Sequence, residues 1–140
     1  LANGVARETI ARELLAAWPD GRIKLYVLAT LLRHRAAAQW PADRYRALLA
    51  AGEREQHVVA FARGDAIVIV PRLPRALSGE APPLGDVWRE TVLELDRAGP
   101  AQYRDVLTGR TIGVQHRDGR RVLELAAVFA VLPVAVLEPA

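Results

Sequence analysis

Up to about residue 38 the apolar side chains recur at helical spacing, and after Trp40-Pro41 the period shortens to that of strands. Val5, Ile10, Leu14, Leu15 and Trp18 form one stripe in a segment rich in Ala, Glu and Arg, which are good helix formers. Pro19-Asp20-Gly21 breaks this helix, and a second is predicted from about Arg22 to Ala38. Its apolar residues, Ile23, Leu25, Val27, Leu28, Leu31 and Leu32, wrap most of the way round. A helix apolar on most sides is normally buried on most sides, which is hard to arrange in 140 residues. Its polar residues collect at the end, where Arg33, His34 and Arg35 complement the negative pole of the helix.

The rest of the pattern belongs to strands. Residues 57–63 and 66–70 read as a hairpin turning at Arg63-Gly64-Asp65. Further strands are expected from Val87 to Leu95, Tyr103 to Leu107, Thr111 to His116, Arg121 to Leu125 and Val134 to Leu137, with turns at Thr108-Gly109 and Asp118-Gly119. The stretch from Pro71 to Pro83 holds four of the nine prolines and is expected to be a connection without regular structure. The fold expected is α+β: two N-terminal helices followed by an antiparallel β-sandwich.

Composition narrows this further. A chain of this length fits one ordinary domain and buries roughly two-thirds of its unfolded surface. It contains no cysteine, which removes thiol catalysis, Cys-ligated zinc and iron–sulfur clusters. It contains no methionine either, so it is expected to be a trimmed product or a piece of a longer polypeptide. The net charge is +3, carried by 18 Arg and the single Lys24. Residues 1–56 hold nine basic and six acidic residues and 57–140 hold ten of each, so the excess lies wholly in the first part. No apolar run approaches the ~20 residues of a membrane helix, and no signal peptide opens the chain. A soluble, cytoplasmic protein with no membrane partner is expected.

Candidate chemistry is sparse. His34, His57 and His116 lack metal-ligand spacing and read as ordinary polar positions. The only serine, Ser78, has no nucleophile-elbow pattern around it. Asp20, Glu53, Glu55, Asp105 and Asp118 sit beside Arg or in turns, where carboxylates are usually solvated or salt-bridged. Arg63-Gly64-Asp65 spells an adhesion tripeptide but makes sense as the hairpin turn. There is neither a G-x-G-x-x-G nor a P-loop. Aromatics are only 6% of the chain and read as core or linker residues, so Arg7, Arg12, Arg22, Lys24, Arg33 and Arg35 read better as a surface facing another protein region than as a nucleic-acid site.

Seven stretches occur in an order that carries a resemblance: residues 18–27 (WPDGRIKLYV), 31–35 (LLRHR), 57–63 (HVVAFAR), 68–73 (VIVPRL), Trp88 to Leu95 with its Thr91, 103–110 (YRDVLTGR) and 132–135 (LPVA). Together they make the chain similar to the C-terminal end of the maltooligosyltrehalose synthases, a family within the α-amylase superfamily. The resemblance implies an isomerase, a (1→4)-α-D-glucan 1-α-D-glucosylmutase of trehalose biosynthesis. Such enzymes turn the reducing-end α-1,4 linkage of a maltodextrin into an α,α-1,1 linkage by intramolecular transglycosylation, using carboxylates on a (β/α)8 barrel and no metal or cofactor for that step. A β-sandwich, domain C, follows the barrel.

On that mapping residues 1–40 resemble the end of the barrel, 41–56 a connection and 57–140 domain C. Residues 36–56 depart from the family by being Ala-rich, and 43–51 look helical. The family's catalytic motifs lie upstream, so the resemblance carries over no catalytic residue and implies that the isolated chain is inactive. Asp20, Arg22 and Lys24 fall where the chain begins the last barrel helix, near the face on which barrel active sites open, and are the candidate substrate contacts; Asp20 reads equally as the helix cap. The expected partners are an upstream barrel of the same polypeptide and, through it, a maltooligosaccharide. Without the barrel, self-association through Ile23 to Leu32 is expected. The alternative is a free-standing sandwich that binds glucan or another protein, with Trp88 as the aromatic best suited to stack on a sugar ring.

Overall fold

The computed structural model describes residues 2–38 and 45–140. Trp40-Pro41, where the pattern changes, and the expected boundary at residues 40 and 41 lie outside the described residues. Helices α1 (Ala2–Ala16) and α2 (Arg22–Ala38) are joined by a single 3-10 turn, Trp18–Asp20, and Gly21. Gly21 has φ +80, a left-handed conformation that a side chain would strain, and its N–H donates to the Trp18 carbonyl at 3.2 Å. The break read from Pro19-Asp20-Gly21 is therefore this turn.

Two antiparallel sheets follow. The strands are β1 (Tyr45–Leu48), β2 (Ala50–Ala51), β3 (Val58–Arg63), β4 (Ala66–Pro71), β5 (Val92–Glu94), β6 (Gln102–Asp105), β7 (Thr111–Gly113), β8 (Gln115–Arg117), β9 (Arg120–Glu124) and β10 (Ala135–Pro139). One sheet has the order β1-β3-β4-β10-β6-β7 and the other β2-β5-β9-β8. Arg63 pairs with Ala66 across the two-residue turn Gly64-Asp65, so the adhesion-like tripeptide is a hairpin turn. The chain passes between sheets at Leu49 and again at Val114, each a single residue between strands of different sheets. The one strand expected over 111–116 is therefore two.

Other expectations need correction. Residues 45–51, read as helical, form β1 and β2. Tyr45 to Leu48 pair with Arg63 to Ala60, and the Tyr45 and Phe61 rings lie 5.1 Å apart, so cross-strand pairing overrides the helical preference of the alanines. The proline-rich connection is not without regular structure. It holds a short helix, α3 (Pro74–Ser78), with Pro74 in its first turn, where a missing N–H is harmless. Of the strand expected over 87–95 only β5 forms, because Gly85–Trp88 is a 3-10 turn that carries Trp88 inward. Another short helix, α4 (Leu125–Val128), follows β9 and was absent from the expected elements.

The space between the sheets is filled by Ile67, Ile69, Leu93, Tyr103, Ile112, Leu123 and Leu137, with Trp88 and Phe129 stacked at 4.8 Å between centroids. Both rings are fully buried, and the Trp88 indole N–H donates to the Pro83 carbonyl at 2.8 Å. A second, smaller core joins the helices to the sandwich: Ala11 and Ile23 meet Leu107, Val131 and Leu132, with Tyr26, Val27 and Leu31 alongside. The architecture is α+β, with two helices docked on a sandwich.

Candidate functional site

The residues singled out at the start of α2 gather around the interhelical turn. The Asp20 carboxylate accepts the Arg22 N–H at 2.9 Å and the Arg22 Nε–H at 2.8 Å. It thereby satisfies one of the otherwise unpaired donors at the helix N-terminus. The backbone bond, then the guanidinium, hold the Asp20 carboxyl below the usual carboxylate range. Asp20 is thus committed to helix capping, and its pair with Arg22 lies exposed.

Lys24 stands apart from that pair. It lines an open, apolar groove of about 450 Å3, together with Trp18, Ile23, Leu28, Pro82 and Pro133. Trp18 is about half exposed at its edge. From the groove's Leu28 outward, α2 shows a second apolar face: Leu25, Leu28 and Leu32 are 68%, 57% and 54% exposed. The same helix buries Ile23 and half-buries Tyr26, Val27 and Leu31 against the sandwich. Its apolar residues therefore point both to the sandwich and to solvent.

Opposite α2 lies the turn from Asp105 to Arg110. Unlike the solvated or salt-bridged carboxylate its sequence position suggests, Asp105 is 1% exposed. Its Oδ1 accepts the Leu107 N–H at 3.0 Å and its Oδ2 accepts the Thr108 hydroxyl at 2.9 Å. Burial outweighs those bonds and pushes its pKa up to about 6. The turn presents its carbonyls to the helices: Tyr26 donates to Leu107 O at 2.6 Å, and Arg7 to Val106 O at 3.3 Å. A sequence signal existed here, since an Asp three residues before Thr-Gly is a common way to knit a tight turn. Nothing in the local pattern said that the turn would be roofed over.

The other candidates stay dispersed. Glu53 and Glu55 follow β2, and Asp118 lies in the β8–β9 turn. His57 is buried with Nδ1 3.2 Å from the Arg72 carbonyl, His34 lies 3.1 Å from the Glu138 carboxylate, and His116 is on β8. Ser78 donates to the Ala81 carbonyl at 2.6 Å within the proline-rich connection. Among the described residues no three His, Asp or Glu side chains converge on one point, and no helix is long and apolar enough to cross a membrane. Trp88, considered as a platform for a sugar ring, belongs to the core. What the arrangement offers is contact surface: an apolar helix face, a groove bearing one cation, and a turn that fixes the helix pair.

Comparison of the whole chain with solved structures gives this surface a context. The fold superposes on one in an Arthrobacter ramosus enzyme with a TM-score of 0.63 and 28% sequence identity, over 94% of this chain. It resembles a segment of maltooligosyltrehalose synthase. A mutant of that maltooligosyltrehalose synthase matches with a TM-score of 0.65 at the same identity and coverage. The chain spans only 17% of the length of these structures. No protein-family model matches it, and no curated protein does.

Proposed function

We propose that the chain is the non-catalytic C-terminal portion of a cytoplasmic enzyme of the maltooligosyltrehalose synthase kind, in which it stabilises an upstream catalytic barrel. The parent enzyme would convert the reducing-end α-1,4 linkage of a maltodextrin to the α,α-1,1 linkage of trehalose. The observation that carries this reading is the match of nearly the whole chain to less than a fifth of that enzyme. The two-sided apolar character of α2 supports it: covering Leu25, Leu28 and Leu32 would contribute on the order of several kcal/mol, and a barrel packed there would cover them. Residues 1–40 then belong to the barrel's end and 57–140 to domain C, and the connection, 41–56, lends β1 and β2 to the two sheets of that sandwich.

Within this proposal the candidate substrate contacts are Lys24, which lines the groove, and the exposed Arg22; Asp20 serves them indirectly, as the helix cap that holds Arg22. The chain's own role is structural. Incubated alone with maltopentaose, it is expected to leave the reducing ends unchanged. Appearance of a non-reducing, trehalose-terminated product would overturn the non-catalytic assignment.

A further inference from the structure

The turn between β6 and β7 is built around a carboxyl that water does not reach, and the helix pair hangs from the same turn. The carboxyl also receives the Val136 N–H, while the Asp105 backbone N–H donates to the Arg110 carbonyl at 2.8 Å and its carbonyl accepts from the Gly109 N–H at 2.7 Å. Among the described residues no cation forms an ion pair with it. Arg110, the nearest in its own turn, directs its guanidinium to the Ala127 carbonyl at 3.0 Å. Next along the chain, Val106 O receives Arg7 of α1, Leu107 O receives Tyr26 of α2, and the Leu107 side chain is fully buried under both helices.

We propose that Asp105 makes this turn a proton-sensitive joint, on which the helix pair docks firmly while the carboxyl is protonated and loosens once it is ionised. The joint lies wholly within this chain, whichever enzyme the chain resembles. Its direction follows from linkage: a carboxyl whose pKa is raised by burial contributes stability that is complete below its ordinary value of 3.8 and is lost as pH rises through about 6. Any opening that hydrates Asp105 is therefore favoured as pH rises across that window.

The charged and titratable groups around it are few. Arg110 faces it from the turn, Arg7 from α1, and Tyr26 from α2, whose phenol is itself raised, chiefly by burial. From β10 the nearest is Glu138, held by Arg104 and 3.1 Å from His34 of α2. That imidazole is a second polar contact between α2 and the sheet, so the test removes it.

The test is amide hydrogen exchange of a His34→Gln chain from pH 4 to pH 8, corrected for intrinsic rates. The opening constant of the α2 amides from Val27 to Leu31 should rise roughly tenfold or more and level off above about pH 6. The sandwich amides of Leu93 and Leu123 should show no such rise. Asp105→Asn in the same chain should flatten it. Thr108→Val keeps the carboxyl but removes a bond to its ionised form, so the levelling-off should move to higher pH. The joint is overturned if α2 shows no larger rise than Leu93 and Leu123, or if the rise survives Asp105→Asn. Should that variant fail to fold, an unchanged profile in Thr108→Val overturns it equally.

Discussion

The hydroxyl of Tyr26 donates to the carbonyl of Leu107 at 2.6 Å, tying a helix to a turn 81 residues further along the chain. The bond matches the rotation of α2 that apolar packing also requires. With Tyr26 turned to the sandwich, its neighbours at helical spacing, Ile23, Val27 and Leu31, turn with it, and Leu25, Leu28 and Leu32 are left outside. The polar contact and the apolar packing thus agree on which half of the helix is covered.

Tyr26→Phe removes this half-buried bond while keeping the ring, and should cost about 1 kcal/mol. Leu107→Ala removes a fully buried side chain from the joint between helices and sandwich, and should cost about 2–5 kcal/mol. Urea titrations of the two variants measure both. A smaller loss for Leu107→Ala than for Tyr26→Phe would mean that the helix pair is not held by packing at this turn.

Gly52 is required on two counts. Its φ is +130, and a Cβ there would lie 2.8 Å from the Thr91 backbone Cα. Thr91 in turn is buried and accepts the Arg54 N–H at 3.0 Å, so it has no freedom to retreat. Gly52→Ala should therefore lower stability by about 2 kcal/mol or more and reduce the melting temperature. An unchanged melting temperature would contradict the close approach of β2's exit to β5.

Replacing Leu25, Leu28 and Leu32 together by Lys should leave the fold intact, because all three are more than half exposed. In sedimentation velocity the unsubstituted isolated chain should self-associate as its concentration rises, and the substituted chain should not. Association of equal strength in the substituted chain would place the sticky surface elsewhere.

Much of this architecture can be read from periodicity. The helix break at Pro19-Asp20-Gly21, the β3–β4 hairpin and the two-sided apolar content of α2 all follow from local residue chemistry. What periodicity misses depends on distant partners. Residues 45–51 carry helix-favouring alanines yet become strands because β3 and β5 offer edges to pair with. Thr111 to His116 reads as one run, and only the sheet arrangement shows that Val114 carries it from one layer to the other. Trp88 could not be sorted between surface and core by sequence, since its place depends on the 3-10 turn that tips it onto Phe129. In the candidate site, the Asp20 cap was legible because it is local. The burial of Asp105 was not, because Leu107, Val136 and the helices that enclose its turn come from three separate parts of the chain.

The most direct measurement is the nucleotide sequence upstream of the codon for Leu1 in the native gene. If the chain is the tail of a trehalose-forming glucosylmutase, the open frame runs on upstream through several hundred codons that specify alternating strands and helices of a (β/α)8 barrel, with its pair of catalytic carboxylates. An in-frame stop just upstream, with a start that yields this chain by itself, would contradict that origin and leave the outward face of α2 to some other partner.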